Sequence, residues 1–195
     1  SFNIWINSSL PIFDCSLLIV SINAKLLCYE TESNKISKRI VTLNNLSQEV
    51  ISMMSDIVWS IDARNDTVQN MVDRMKNFAF NHVSEKEIDV DFIADSSIND
   101  EKLKINVRQN IYLIFKEAFH NAVKYSNSNK IEVIFSASKQ KIYLKIVDNG
   151  IGMNLTTNHL GNGVRNMKMR AEKIKAKIQF VNENGLTIIL ETNKF

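Results

Sequence analysis

Between residues 43 and 61 the chain reads LNNLSQEVISMMSDIVWSI, and its apolar positions fall at steps of three and four: Leu43, Leu46, Val50, Met53 or Met54, Ile57 and Ile61. That spacing predicts an amphipathic helix with a seam close to a heptad repeat. Residues 16–29 can supply a partner helix, with the polar ESNK at 32–35 as the connection. Two helices alone are too narrow to enclose a core, so a dimeric bundle is expected, with an intramolecular pair as the alternative. After Trp59 the sequence SIDARNDTV offers Asn65 or Asp66 as the cap of a further helix. Val68, Met71, Val72, Met75 and Phe78 stand at helical spacing there, and the methionines read as core filler.

From His82 to Lys102 the chain turns polar and acidic around IDVDFIAD, whose period of two predicts a short strand. The domain boundary is set near residue 83, dividing a helical dimerisation hairpin with its linker helix (1–83) from a second domain (84–195). Residues 107–126 predict a strong helix with Ile111, Ile114, Phe115, Ala118, Ala122 and Tyr125 along one stripe. Two alternating runs, IEVIFSAS (131–138) and KIYLKIVD (141–148), are close enough to form a hairpin. VRNMKMRAEKIK (164–175) is helical by propensity, and AKIQFVN and GLTIILET close the chain as a hairpin turning at Asn184-Gly185. The fold class expected is α+β: a helical hairpin followed by an α/β sandwich, with helices on one face of a largely antiparallel sheet.

Composition narrows the setting. The 195 residues are 45% hydrophobic and 23% charged, with a net charge of +3 and both signs interspersed, which argues against a dedicated nucleic-acid binder. Cys15 and Cys28 have no metal-ligand spacing and suit a reducing compartment. The most apolar stretch, residues 10–27, is broken by Asp14, Asn23 and Lys25 and has neither a basic start nor a cleavage site. It therefore predicts no membrane helix and no secretory signal, and the expected location is cytoplasmic. The only proline is Pro11, and all five glycines fall at 150, 152, 161, 163 and 185. Whatever needs unusual backbone is concentrated in the last quarter.

Candidate chemistry gathers in that same region. Glu117, Asn121 and Lys124, at spacings of four and three, share one helix face. An amide oxygen suits Mg²⁺ and a lysine suits phosphate; the alternative is a solvated face with a stabilising pair. Asp148 ends a strand, and Gly150 and Gly152 let another group approach the backbone. A carboxylate there can accept from an exocyclic amine such as that of adenine, while Asp-Asn-Gly is equally a turn sequence. Gly161 and Gly163 precede a helix whose first N–H groups can face an anion. A dinucleotide-binding G-x-G-x-x-G fails because Leu155 stands at the third glycine, and no phosphate-binding P-loop sequence occurs.

Taken in order, these pieces are specific. FKEAFHNAVKYS, VDNGIGM and GNGVRNMKMRAEKI resemble the N box and the two glycine boxes of the GHKL ATPase superfamily, which includes gyrase, heat-shock chaperone, mismatch-repair and histidine kinase ATPases. The second glycine box is most similar to that of sensor histidine kinases, and SDIVWSIDARNDTVQNM is similar to the segment joining their helical hairpin to the ATPase domain. The resemblance covers roughly residues 40–195. It implies ATP and Mg²⁺ as cofactors. Asp148 would accept from the adenine amine beside Gly150 and Gly152, and Asn121 would hold Mg²⁺. Glu117 would be the general base or polarising group, and Lys124 would lie near phosphate. Gly161 and Gly163 would hinge a lid over residues 153–163, and Thr187 would line the pocket floor. It further implies an ATP-dependent protein histidine kinase acting as a homodimer on a response regulator receiver domain, within a parent protein that can be membrane-tethered.

One part of that family's pattern is missing. The histidines are His82, His120 and His159, and none lies in the first 81 residues, where the family carries its phosphoacceptor. His82 reads as an ordinary surface residue, and neither His120 nor His159 suits phosphorylation in cis. The alternatives are a degenerate or truncated kinase acting as a nucleotide-binding dimerisation or regulatory module and a serine kinase of the anti-sigma-factor type; the helical hairpin argues against the latter. A gyrase- or chaperone-like ATPase is disfavoured because such chains continue well beyond this fold.

Overall fold

The computed structural model describes residues 34–62, 66–83, 87–95, 101–138, 140–153 and 161–193. The chain divides between Trp59 and Ser60 into two units. Helix α1, Asn34–Ile61, is the described element that opens the chain. It begins nine residues before the periodic stretch, because nothing from Asn34 to Leu43 breaks a helix. Leu43, Leu46, Val50 and Ile57 of the seam are exposed on it. The partner helix expected at 16–29 lies outside the described residues.

The second unit contains α2 (Val68–Val83), β1 (Asp89–Ala94), α3 (Ile105–Tyr125), β2 (Lys130–Ala137) and β3 (Lys141–Asp148). It continues with α4 (Asn162–Lys173), β4 (Lys177–Asn182) and β5 (Leu186–Asn193). The five strands are ordered β1-β2-β3-β5-β4. Among the described strands only β1 and β2 pair in parallel, with α3 as their crossover; the other pairings are antiparallel.

Helix α2 corrects the boundary expected near residue 83. Val68, Met71, Val72, Met75 and Ala79 are completely or almost completely buried, and α2 packs on α3 and β1. A stripe buried against the second unit's core makes α2 part of that unit. Its cap also differs from expectation. Thr67 Oγ1 accepts from Asn70 N–H at 3.2 Å, the bond of an N-cap to the third helical residue. Asp66 instead pairs with Lys102 at 2.9 Å, and its carbonyl accepts from Leu103 N–H. Asn65 lies outside the described residues.

Arg108 closes the same region from below. It is fully buried on α3, and its Nη2 donates to the Asp62 carbonyl at 3.2 Å. Burial lowers its pKa, against the opposing pull of the Asp66 and Asp62 charges. The core beyond it is aromatic: the Phe115 ring lies 5.7–6.4 Å from those of Phe78, Phe92, Tyr112 and Phe119. Ile131, Val133, Phe135, Ile142, Leu144, Ile146, Ile188 and Leu190 supply the facing side of the sheet. The α3 stripe stops one turn short of expectation, since Tyr125 is 59% exposed. At the β4–β5 turn Asn184 and Gly185 take φ of 52° and 121°, as the Asn-Gly signal requires. No helix among the described residues is long and apolar enough to cross a membrane.

Candidate functional site

Alternation along β3 sends Ile142, Leu144, Ile146 and Asp148 to the same face, the one covered by helices. Asp148 therefore ends a core-facing file and is 3% exposed. A carboxylate taken out of water needs hydrogen bonds in compensation. Its Oδ1 accepts from the backbone N–H of Gly150 at 3.0 Å and of Leu186 at 3.3 Å. Both bonds fall on one oxygen, which leaves Oδ2 to meet a donor from a ligand. Gly150 passes so close to the end of α3 that a Cβ would lie 2.0 Å from the Ser126 carbonyl oxygen. The next residue, Ile151, donates its N–H to that oxygen at 2.8 Å. The strand stops on a carboxylate because the following backbone turns back to hold it.

The second half of the site lies on α3. Asn121 Nδ2 donates to Glu117 Oε1 at 3.3 Å, so the amide oxygen of Asn121 is the atom turned away from the carboxylate. The first turn of α4 abuts this pair. A Cβ on Gly163 would lie 2.0 Å from Glu117 Oε1 and 3.1 Å from Asn121 Nδ2. Gly163 is thus a clearance residue inside α4. Gly161 precedes the helix with φ −53° and open space around it, a conformation any residue adopts. Most of the lid expected over 153–163 lies outside the described residues. Lys124, one turn beyond Asn121, is exposed with Nζ 5.1 Å from the Tyr125 ring.

Thr187 does not fit its expected place on the pocket floor. It stands opposite Val147 in the β3–β5 register, so it faces the side of the sheet away from Asp148. Its neighbour Leu186 meets Asp148 instead, through the backbone. His82 is likewise no ordinary surface residue. It is half-buried at the end of α2, stacked on Phe78 at 4.9 Å, with Nε2 3.0 Å from His120 Nδ1. His159 lies outside the described residues. The sequence reading also missed Ser126, at the end of α3, and Asn182 and the N–H of Leu186, which only the strand register brings to the site.

Among the described residues no group of three or more His, Cys, Asp or Glu side chains could hold a metal. Asn121 and Glu117 nevertheless fit Mg²⁺, which favours few protein oxygens and the oxygens of a phosphate chain. Asn121, its nitrogen already engaged by Glu117, offers the oxygen.

Known proteins resemble this chain in sequence and in fold. A family model described as histidine kinase-, DNA gyrase B-, and HSP90-like ATPase matches residues 106–192. The sensor histidine kinase YxjM of Bacillus subtilis (strain 168) is 30% identical over 106 residues, 51% of this chain and 26% of YxjM. The chain thus spans about a quarter of that relative's length. The catalytic domain of the histidine kinase ThkA superposes with a TM-score of 0.54 at 17% identity, covering 66% of this chain and 94% of that domain. Full-length ShkA in complex with AMPPNP gives a TM-score of 0.59 at 14% identity, over 92% of this chain and 43% of ShkA. These two likenesses establish the fold.

Proposed function

Residues 106–192 being an ATPase domain of the histidine kinase-, DNA gyrase B-, and HSP90-like family, we propose that the chain binds Mg·ATP and serves as the catalytic core of a sensor histidine kinase. The observation that carries this reading is Asp148: a buried carboxylate with one oxygen held by two backbone N–H groups and the other left for an amine. A base bearing an exocyclic amino group donates to that second oxygen. Gly150 and Gly152 form the neighbouring wall, and Asn121, its nitrogen engaged by Glu117, has its amide oxygen to offer on the phosphate side.

Glu117 accepts the proton of, or polarises, the attacking nucleophile, and Asn121 holds Glu117 in place for that task. Lys124, exposed one turn away, can swing to the phosphate chain. Mg²⁺ would be held by Asn121, and when bound it neutralises charge on the phosphates. Phosphoryl transfer asks little more of the protein than positioning and charge stabilisation. The histidine acceptor and a response regulator receiver domain complete the reaction in this reading. The exposed file Leu43, Leu46, Val50 and Ile57 on α1 supports a homodimer joined through that helix.

A second reading has its own support. The first 81 residues, where a kinase of this family carries its acceptor, contain no histidine. A nucleotide-binding dimerisation module that transfers no phosphoryl group fits that fact. Incubation with γ-labelled ATP and Mg²⁺ separates the two, because an acid-labile, base-stable label on the chain or a partner protein requires transfer.

Asp148→Asn tests the nucleotide site itself. The amide Oδ1 can still accept from Gly150 and Leu186, so folding should hold, while the second oxygen becomes a donor that opposes the amine. ATP affinity should fall by roughly a hundredfold, the worth of a charge-assisted bond turned repulsive. Unchanged affinity in titration calorimetry removes the assignment.

A further inference from the structure

The segment after β3 is bonded at almost every residue. Asn149 N–H donates to Lys130 O at 3.3 Å, and Asn149 Oδ1 accepts from Asn129 and Lys130 N–H. Gly150 and Ile151 donate to Asp148 and Ser126. At the far end a single side chain holds Met153. Asn182, the last residue of β4, accepts from Met153 N–H at 3.0 Å through Oδ1, and its Nδ2 donates to the Met153 carbonyl.

An amide that accepts from and donates to one residue's backbone imitates a paired strand, so it fixes orientation as well as distance. Gly152 belongs to the same device. Its φ is +71°, and a Cβ there would lie 3.0 Å from Asn182 Oδ1. Side chain and glycine require each other. Asn182 is itself exposed on an edge strand, so the clamp adds little to the core.

We propose that Asn182 is a positioning residue for the base side of the nucleotide site: its amide pair holds the Gly152–Met153 wall at the angle from which a base meets Asp148. The proposal rests on the nucleotide reading above and extends it to base selection. The Asp148 carboxylate accepts from a 6-amino purine and repels the carbonyl that a 6-oxo purine carries at that position. With the wall released, the base can tilt away from Asp148, and an amino purine has more to lose from that tilt than an oxo purine.

The test compares wild type, Asn182→Ala and Asn182→Leu. The leucine keeps bulk beside Gly152 and makes neither bond. ATP affinity is read by calorimetry with Mg²⁺ present, and GTP affinity by displacement of a fluorescent ATP analogue. Both variants should lose roughly tenfold for ATP and much less for GTP, with Tm within about 3 °C of wild type. Equal losses for the two nucleotides, unchanged ATP affinity, or recovery in the leucine variant overturns the proposal. If wild type itself binds no ATP, the nucleotide reading fails before the variants are compared.

Discussion

Gly163 and Glu117 approach so closely that a single methyl group does not fit between them: a Cβ on Gly163 would stand 2.0 Å from Glu117 Oε1. Helix propensity alone favours alanine over glycine at a helix position by about 1 kcal/mol. The obstructing atom is the far end of a long side chain, which can swing away at small cost to folding. Swinging away, however, breaks the Glu117–Asn121 bond. Gly163→Ala should therefore keep or slightly raise Tm while lowering Mg·ATP affinity and any phosphoryl transfer by about tenfold or more. Equal activity in the two proteins would show that Glu117 need not stay where it is.

The contrast between Asp148 and Thr187 shows how far the sequence reaches. The alternation in KIYLKIVD predicts a strand over 141–148, and the structure has β3 at Lys141–Asp148. Within one strand, period two fixes faces, so a carboxylate at the end of an apolar file is legible. Thr187 depends on how β5 is registered against β3, and a shift of one residue moves a side chain to the other face. Asn182 and Met153 are 29 residues apart and His82 and His120 are 38 apart. Local patterns carry no record of pairs at such separations. The methionines of α2 were readable as core because their spacing is local, whereas the unit that α2 joins depended on its packing against α3.

The exposed file on α1 makes an oligomeric prediction. Leu46→Glu combined with Ile57→Glu sets charges into the proposed seam. Sedimentation equilibrium at micromolar concentration should then find a monomer where wild type is a dimer. ATP binding should persist, since the site lies wholly on residues of the second unit. A wild-type monomer at that concentration would count against the seam.

Thr67 offers a test confined to folding. Its hydroxyl caps α2 through Asn70 N–H and touches none of the site residues. Thr67→Ala should cost about 1 kcal/mol in denaturant unfolding. Thr67→Ser should restore most of it. ATP affinity should be the same in all three proteins, and a large loss of binding would mean that α2 does more than pack.

Arg108 makes the sharper stability prediction, because it is a charge with no exposure at all. Its Nη2 reaches the carbonyl of Asp62, and the charges of Asp62 and Asp66 oppose the lowering of its pKa by burial. Arg108→Met keeps length and apolar stem while removing the cation. That leaves the Asp62 carbonyl and two carboxylates without it, at a cost of about 2–4 kcal/mol in unfolding. Arg108→Lys should recover only part, because a compact ammonium on a different stem does not set its donor where Nη2 meets the Asp62 carbonyl. Denaturant melts of the two variants measure both losses. A methionine variant as stable as wild type would mean that Arg108 serves only to fill space beside Asp62.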